Sequence, residues 1–434
     1  MSSERLDLKG RNGRVAIVAG LRTPFARIAT HFRDVNAIEL GAMLVDELLA
    51  RNQLPKDQVQ QLVFGMTVMI PEAPFIAREI AIACDMPDVD AYSITRACAT
   101  SFQTVASAAE SILAGTIEIA VAGGTDSTSS VRITTTPRFS AALRDANFAK
   151  TPLDKLKRLS KLRARDILPT PPSITEYSTG LTMGQNAEQM AQKWGVTREE
   201  QDDIAHASHR NAAKAWAAGW MNDEVMTAVV GGKSIHEDNL VRMASDRASY
   251  AKLKPVFDRE RGSVTAGNSS PLTDGAAAVL LMSEARANAL GYRPLGHIRS
   301  YHFAAKTPQD DMLMGPVLAV PVALERAGIG LKDLTLIDMH EAFAAQLACN
   351  LKGLASKQYF KETLNRSKPV GEVDRDKLNV LGGTIAYGHP FGATGARLIV
   401  QTLNELKRRG GGLALNTACA AGGIGAAMVL ESAA

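Results

Sequence analysis

GPVLAVPVALERAGIGLKDLTLIDMHEAF (residues 315–343) repeats the pattern of LGAMLVDELLARNQLPKDQVQQLVFGMTV (residues 40–68): an apolar-faced helix, a short Gly/Pro turn and a run suited to a buried strand. Helix and strand alternating in this way predict an α/β fold, and the recurrence predicts a duplicated unit. The parallel extends outward. TRACATSFQTVASAAESILAG (95–115) leads into IEIAVAGGTDS (117–127) much as YGHPFGATGARLIVQTLNELKRRG (387–410) leads into GGLALNTACAAGGIG (411–425). Each copy puts a reactive side chain, Cys98 or His389, ahead of a helix; after Cys98 that helix is expected from about Val105.

Between the copies, residues 138–254 are rich in charge and helix formers and poor in buried-strand patterns, so they read as an inserted, mostly helical domain. Residues 1–137 and 255–286 then make one half and 287–434 the other. Within the insertion, TPLDKLKRLSKLRARDIL (151–168) sets Lys155, Lys157, Arg158, Lys161, Arg163 and Arg165 among Leu153, Leu156, Leu159 and Leu162. This is a basic amphipathic helix, open to three readings: a solvated face packed on its own domain, a partner contact, or a peripheral membrane contact.

A chain of 434 residues exceeds the usual size of a single core, and 46% hydrophobic with 22% charged residues is ordinary for a folded globular protein. The net charge of +4 is too small to suggest general nucleic-acid binding. Cysteines 84, 98, 349 and 419 are too few and scattered for a disulfide framework, and none forms a metal-binding spacing, so free thiols and no metal are expected. The opening MSSERLDLKGRNGRVAIVAG lacks the apolar core of a leader peptide, and no stretch is long enough to span a bilayer; a cytoplasmic location is the expectation.

Three residues stand where their chemistry could be used. Cys98 sits at a strand-to-helix junction, where unpaired N–H groups and the helix dipole favour a thiolate. His389, in a loop flanked by Gly388, Gly392 and Gly395, can accept a thiol proton from a cysteine distant in sequence. Cys419 opens the turn CAAGGIG, whose small residues expose successive N–H donors of the kind that form an oxyanion hole.

These segments, with VAIVAGLRTPF (15–25), VAGGTDSTS (121–129), MGQNAEQMA (183–191), SVTAGNSSPLTDGAAAVLL (263–281), HEAFAAQ (340–346), GGTIAYGHPFGATGAR (382–397) and NTACAAGGIGAAMVLE (416–431), resemble the thiolase family in order over nearly the whole chain. The resemblance implies two βαβαβαββ halves in a five-layered α/β/α/β/α core, the insertion covering the active site. It implies a 3-ketoacyl-CoA thiolase of fatty-acid β-oxidation, with biosynthetic acetoacetyl-CoA thiolase and a non-catalytic lipid carrier or scaffold as rivals. Cys98 would be the acyl-thioester nucleophile, His389 its base and an oxyanion donor, and Cys419 the acid/base for the acetyl carbon. The backbone N–H groups of Cys98 and Ala421 would form a second oxyanion hole.

One motif departs from the family pattern. Where thiolases carry NEAF, this chain reads HEAF, so His340 either holds the oxyanion water or meets the oxygen directly. That change resembles the β subunits of multifunctional β-oxidation complexes, which implies a homodimer within a heterotetramer whose α subunit is a hydratase and 3-hydroxyacyl-CoA dehydrogenase. Coenzyme A would be a co-substrate, with no permanently bound cofactor. By the same resemblance Ser270 would contact CoA and Met183 would line the acyl pocket, while the 155–165 cluster or Arg210 and Lys214 are candidates for the CoA phosphates. No glycine-rich nucleotide loop replaces them.

Overall fold

The computed structural model describes residues 8–169 and 175–433; the first seven residues of the N-terminal half, residue 434 and residues 170–174 of the insertion lie outside the described residues. The N-terminal half runs β1 (Gly13–Arg22), α1 (Ala37–Arg51), β2 (Gln61–Gly65), α2 (Ile76–Ala83), β3 (Asp90–Ser93), α3 (Thr100–Leu113) and β4 (Ile119–Asp126), and is completed after the insertion by β5 (Thr273–Ser283). In the insertion, α4 (Met183–Lys193) and α5 (Arg198–Ala217) are the helices nearest the C-terminal half. The C-terminal half runs β6 (Gly296–Ala305), α6 (Gly315–Ala327), β7 (Leu336–Met339), α7 (Ala344–Ala355), α8 (Thr394–Arg408), β8 (Leu413–Ala420) and β9 (Ile424–Ser432). Local chemistry sets several helix starts. Asn36 and Glu39 cap α1 reciprocally, as Thr197 and Glu200 do for α5.

The strands follow the order β7-β8-β9-β6-β1-β5-β4-β2-β3. Among the described residues the two half-sheets are joined by the short ladder Gly296↔Ile17 and His297↔Ala16. One apolar core lies between them, built from α3 residues such as Phe102 and Val105 and α8 residues such as Leu398 and Leu403. Helices α1 and α2 cover the outer face of the N-terminal sheet, and α6 and α7 that of the C-terminal sheet. This is the expected five-layered α/β arrangement. In the C-terminal half the third strand survives only as the single bridge Ile337↔Leu378, where β2 has the parallel strand β3 beside it.

Residues 127–272 connect β4 to β5, whereas β8 and β9 are joined by the short turn Ala421–Gly423. The insertion folds back over the other half, since Ala187, Met190 and Ala191 of α4 enter the core beneath α7. It also contains a hairpin, Ala228–Val230 with Lys233–Ile235, turned by Gly231 and Gly232 at positive φ.

Two helix expectations are corrected. The helix after Cys98 begins at Thr100, five residues earlier than its apolar period suggested, because small residues from Ala99 onward disguise its first turn. Segment 151–168 is two short helices, Pro152–Leu159 and Ala164–Ile167, with extended Arg163 restarting the chain as its N–H donates to Asp166. Leu159 and Leu162 are half-buried, but Leu153 and Leu156 are 76% and 65% exposed.

Candidate active site

Ala97 adopts φ +46°, a left-handed conformation uncommon for alanine, and so turns the chain sharply between β3 and α3. Its carbonyl accepts from Thr100 Oγ1 at 2.7 Å and from Thr67 Oγ1 at 3.2 Å, which fixes the turn that presents Cys98. Cys98 is half-buried at this turn. Burial pushes its thiol up to about 12; the N–H of Ala421 opposes this, the Asp126 carboxylate adds to it, and its own N–H opposes it. The helix start therefore does not lower this thiol as its position suggested, because loss of water outweighs the help of nearby N–H groups. A sulfur that rests protonated needs a base within reach.

Two imidazoles supply one. His389 follows Gly388, whose φ of +94° and tight packing suit glycine alone: a Cβ there would lie 2.2 Å from Thr273 Cγ2. The His389 Nδ1 hydrogen-bonds Thr394 Oγ1 at 2.6 Å, leaving Nε2 buried and without a partner. Burial, reinforced by the Arg397 charge, depresses the ring to about 3, so it stays neutral. His340 continues from β7, its N–H donating to the Thr417 carbonyl at 2.9 Å. Its Nδ1 pairs with Thr384 Oγ1 at 3.0 Å, and its Nε2 is likewise buried and free. The two ring centroids are 4.1 Å apart, and burial, then the neighbouring His389 ring and the Arg397 charge, hold His340 well below the usual range. Cys98 Sγ and one nitrogen of each ring all lie within 4.8 Å of one another.

Cys419 is buried in β8, opposite Gly425. Burial and the neighbouring Cys98 hold its thiol well above the ordinary value. Beyond it, the N–H groups of Ala421 and of Cys98 itself draw the Cys98 thiol down against burial. The next donor, Gly422 N–H, is taken by Glu176 of the insertion at 2.8 Å. The site thus has a thiol with two backbone donors, two neutral imidazoles with free nitrogens, and a second thiol close by. Such a set can move protons between sulfur, nitrogen and carbon and can hold an oxyanion.

The other predicted residues are placed around this set. Ser270 donates its hydroxyl to the Ala342 carbonyl at 2.9 Å, which ties it to the HEAF segment. Met183 is the first residue of α4 and packs, partly buried, on the C-terminal core. Arg210 and Lys214, one turn apart on α5, line a cavity of about 360 Å³ with Met243 and Ser245. By contrast, the 155–165 residues lie on the short exposed helices and in the break between them, and Arg158 reaches the Asp145 carbonyl.

The thiolase N-terminal domain model matches residues 15–285 and the thiolase C-terminal domain model residues 292–432. The chain belongs to the thiolase family. Among curated relatives, a 3-ketoacyl-CoA thiolase of Serratia proteamaculans is 59% identical over 433 residues, 99% of each chain. One of Cronobacter sakazakii is 58% identical over 434 residues, 99% of this chain and 100% of that one. Among solved structures, the human mitochondrial 3-ketoacyl-CoA thiolase in complex with CoA has a TM-score of 0.84 at 30% identity, covering 99% of this chain and 100% of that one. The Bacillus anthracis acetyl-CoA acetyltransferase has 0.82 at 31%, covering 96% and 98%. This thiolase is an acyltransferase by family, and no described helix is long and apolar enough to cross a membrane.

Several site-building residues escaped sequence reasoning. Asp126, at the end of β4, accepts the Val68 N–H at 2.6 Å and Thr67 N–H at 2.9 Å from one half, and the Gly392 N–H at 2.7 Å from the other. It joins the loop behind Cys98 to the loop carrying His389. Burial raises this carboxyl to about 6 against the pull of those donors. Glu341, next to His340, accepts from Ser208 at 2.6 Å and Asn379 at 2.6 Å and so fixes the HEAF loop from both sides. Thr384 and Thr394 set the ring orientations. The available signal was the polar residue ending an apolar strand, as in AVAGGTD, which demands buried partners.

Proposed function

We propose that this chain is a 3-ketoacyl-CoA thiolase acting in fatty-acid β-oxidation, with CoA as co-substrate and no permanently bound cofactor. The observation that carries the reading is a neutral His389 with a free, buried Nε2 beside a Cys98 thiol that burial keeps protonated. In this reading His389 Nε2 takes the Cys98 proton as sulfur attacks the keto carbon of 3-ketoacyl-CoA. The bond between that carbon and the adjacent CH₂ then breaks, and its electron pair leaves as the acetyl-CoA enolate. Cys419 protonates the enolate carbon. His389 returns its proton to the Cys419 thiolate, then takes the CoA thiol proton as the CoA sulfur attacks acyl-Cys98 and passes it to the departing Cys98 sulfur, giving the shortened acyl-CoA and a free Cys98. His389 and His340 stabilise the enolate oxygen, and the N–H groups of Cys98 and Ala421 the thioester oxygen. Ser270 and Met183 border the pantetheine and acyl path, and Arg210 and Lys214, within the insertion assigned to 138–254 that covers the site, face the CoA phosphates across their cavity.

Intact-protein and peptide mass spectrometry after mixing with 3-ketoacyl-CoA tests this directly. An acyl adduct on Cys98 is expected; its absence, with full activity in Cys98→Ser, would overturn the reading. Both solved relatives have similar TM-scores, so fold does not separate a degradative from an acetoacetyl-specific enzyme. Thiolysis rates over a chain-length series do, and equal or better turnover of acetoacetyl-CoA would favour the latter.

The assembly belongs to the same proposal: a homodimer bound to a hydratase/3-hydroxyacyl-CoA dehydrogenase subunit, checked by what co-purifies. Exposed Leu153 and Leu156 amid basic residues favour a covered 151–168 face. Co-purification and sedimentation with anionic liposomes, each repeated after charge reversal, distinguish a partner from a membrane.

A further inference from the structure

No spacing in the sequence suggests a metal, since Cys98, His340 and His389 come from different loops. Folding nevertheless brings one sulfur and two imidazole nitrogens within 4.8 Å of one another. We propose that Cys98, His340 and His389 form a binding site for a soft divalent cation of the Zn²⁺ type, which reversibly occupies the catalytic centre. Thiolate and imidazole are the ligands such ions prefer over carboxylate-binding Mg²⁺ or Ca²⁺. A tetrahedral Zn²⁺ with Zn–N of about 2.0 Å and Zn–S of about 2.3 Å spaces its ligands roughly 3.3–3.6 Å apart, so closure from within 4.8 Å requires a contraction of at most about 1.5 Å.

A second observation points to the same place independently. Among the described residues neither buried Nε2 atom has a hydrogen-bond partner, an arrangement costly to leave unmet. Each ring is meanwhile anchored through Nδ1, to Thr384 at 3.0 Å and to Thr394 at 2.6 Å. If each Nδ1–H donates to its threonine, both Nε2 atoms carry lone pairs, as metal ligation requires; this is the orientation outer-shell partners impose on ligating histidines. Half-buried Cys98 leaves a path for entry and room for a fourth ligand such as water or the CoA thiol. On binding, the Cys98 thiol releases its proton to solvent and its sulfur coordinates the ion. His340 makes the difference: with only Cys98 and His389 the site would have two ligands.

The metal site does not depend on the proposed activity; the resulting inhibition rests on Cys98 being the nucleophile. Metal-free, reduced full-length protein is titrated with Co²⁺ as a spectroscopic probe, then with Zn²⁺. We expect saturable binding with a thiolate-to-metal charge-transfer band and four-coordinate d–d bands, both abolished as Zn²⁺ displaces Co²⁺. Cys98→Ser should remove the charge-transfer band and His340→Asn should weaken binding by at least about 10–100-fold. Cys84→Ser and Cys349→Ser, at cysteines outside the site, should leave the spectrum unchanged, and circular dichroism verifies each fold. A charge-transfer band that never develops in excess Co²⁺, one that persists in Cys98→Ser, or an affinity unchanged in His340→Asn overturns the proposal. Activity is not read in this assay, so failure of the thiolase reading, an unacylated Cys98, remains separately visible.

Discussion

Asp126 and Cys419 occupy corresponding places in the two halves: Asp126 stands opposite Gly275 across β4 and β5, and Cys419 opposite Gly425 across β8 and β9. In one half the position holds a carboxylate that accepts N–H groups from both halves; in the other it holds a thiol beside Cys98. The chain leaving the strand differs as well, through residues 127–272 in the first case and the turn Ala421–Gly423 in the second. A duplicated scaffold thus fixes where a side chain can reach the centre, while the residue chosen decides whether it positions or reacts.

Exchanging the roles at these two places should break the comparison most severely at Cys419. Cys419→Ala is expected to lower kcat for carbon–carbon cleavage by about 10²–10⁴-fold while acyl-Cys98 still forms from acyl-CoA, since only the enolate lacks its proton donor. Adduct formation and cleavage falling together would assign Cys419 to packing instead.

At Asp126 a smaller effect is expected, because it acts through two loops. In Asp126→Asn an amide NH₂ faces one of the N–H donors, so one half is released. A loss of roughly 10–100-fold in kcat/KM should follow from misplacement of Cys98 against His389. The pH profile sharpens this. With the carboxyl near 6 in the folded protein against an ordinary 3.8, protonation on descending through pH 6 removes the charge that holds the three donors. The wild-type kcat/KM should therefore fall below about pH 6 and Asp126→Asn should lack that limb, whereas His389, near 3, stays neutral across it. A limb that persists in the variant would exclude Asp126.

Where the halves touch, Gly124 admits no side chain: a Cβ would lie 2.1 Å from the Gly392 carbonyl oxygen. Gly124→Ala should cost about 1–3 kcal/mol by denaturant unfolding, and an unchanged midpoint would mean the loops part freely. The smallest effect is expected on the long connection. Leu156→Ser, at a side chain 65% exposed, should change stability by no more than about 0.5 kcal/mol. A larger loss would show that this face packs on its own domain after all.

The amino-acid sequence by itself determined the duplication, the alternation of helix and strand, and the candidacy of Cys98, His389, Cys419 and His340, because these depend on apolar periodicity and on residue types in local motifs. The edges of elements were less legible. Small residues hid the start of α3, the strands of the Gly231–Gly232 hairpin are too short to show a pattern, and the break at residues 160–163 interrupts an unbroken amphipathic pattern. Only the tertiary structure decided that the Cys98 thiol is raised rather than lowered, that Asp126 joins the two catalytic loops, and that one nitrogen of each of two imidazoles comes within 4.8 Å of one sulfur. Desolvation and convergence depend on what the rest of the chain packs around a residue, and its neighbours in sequence do not carry that information.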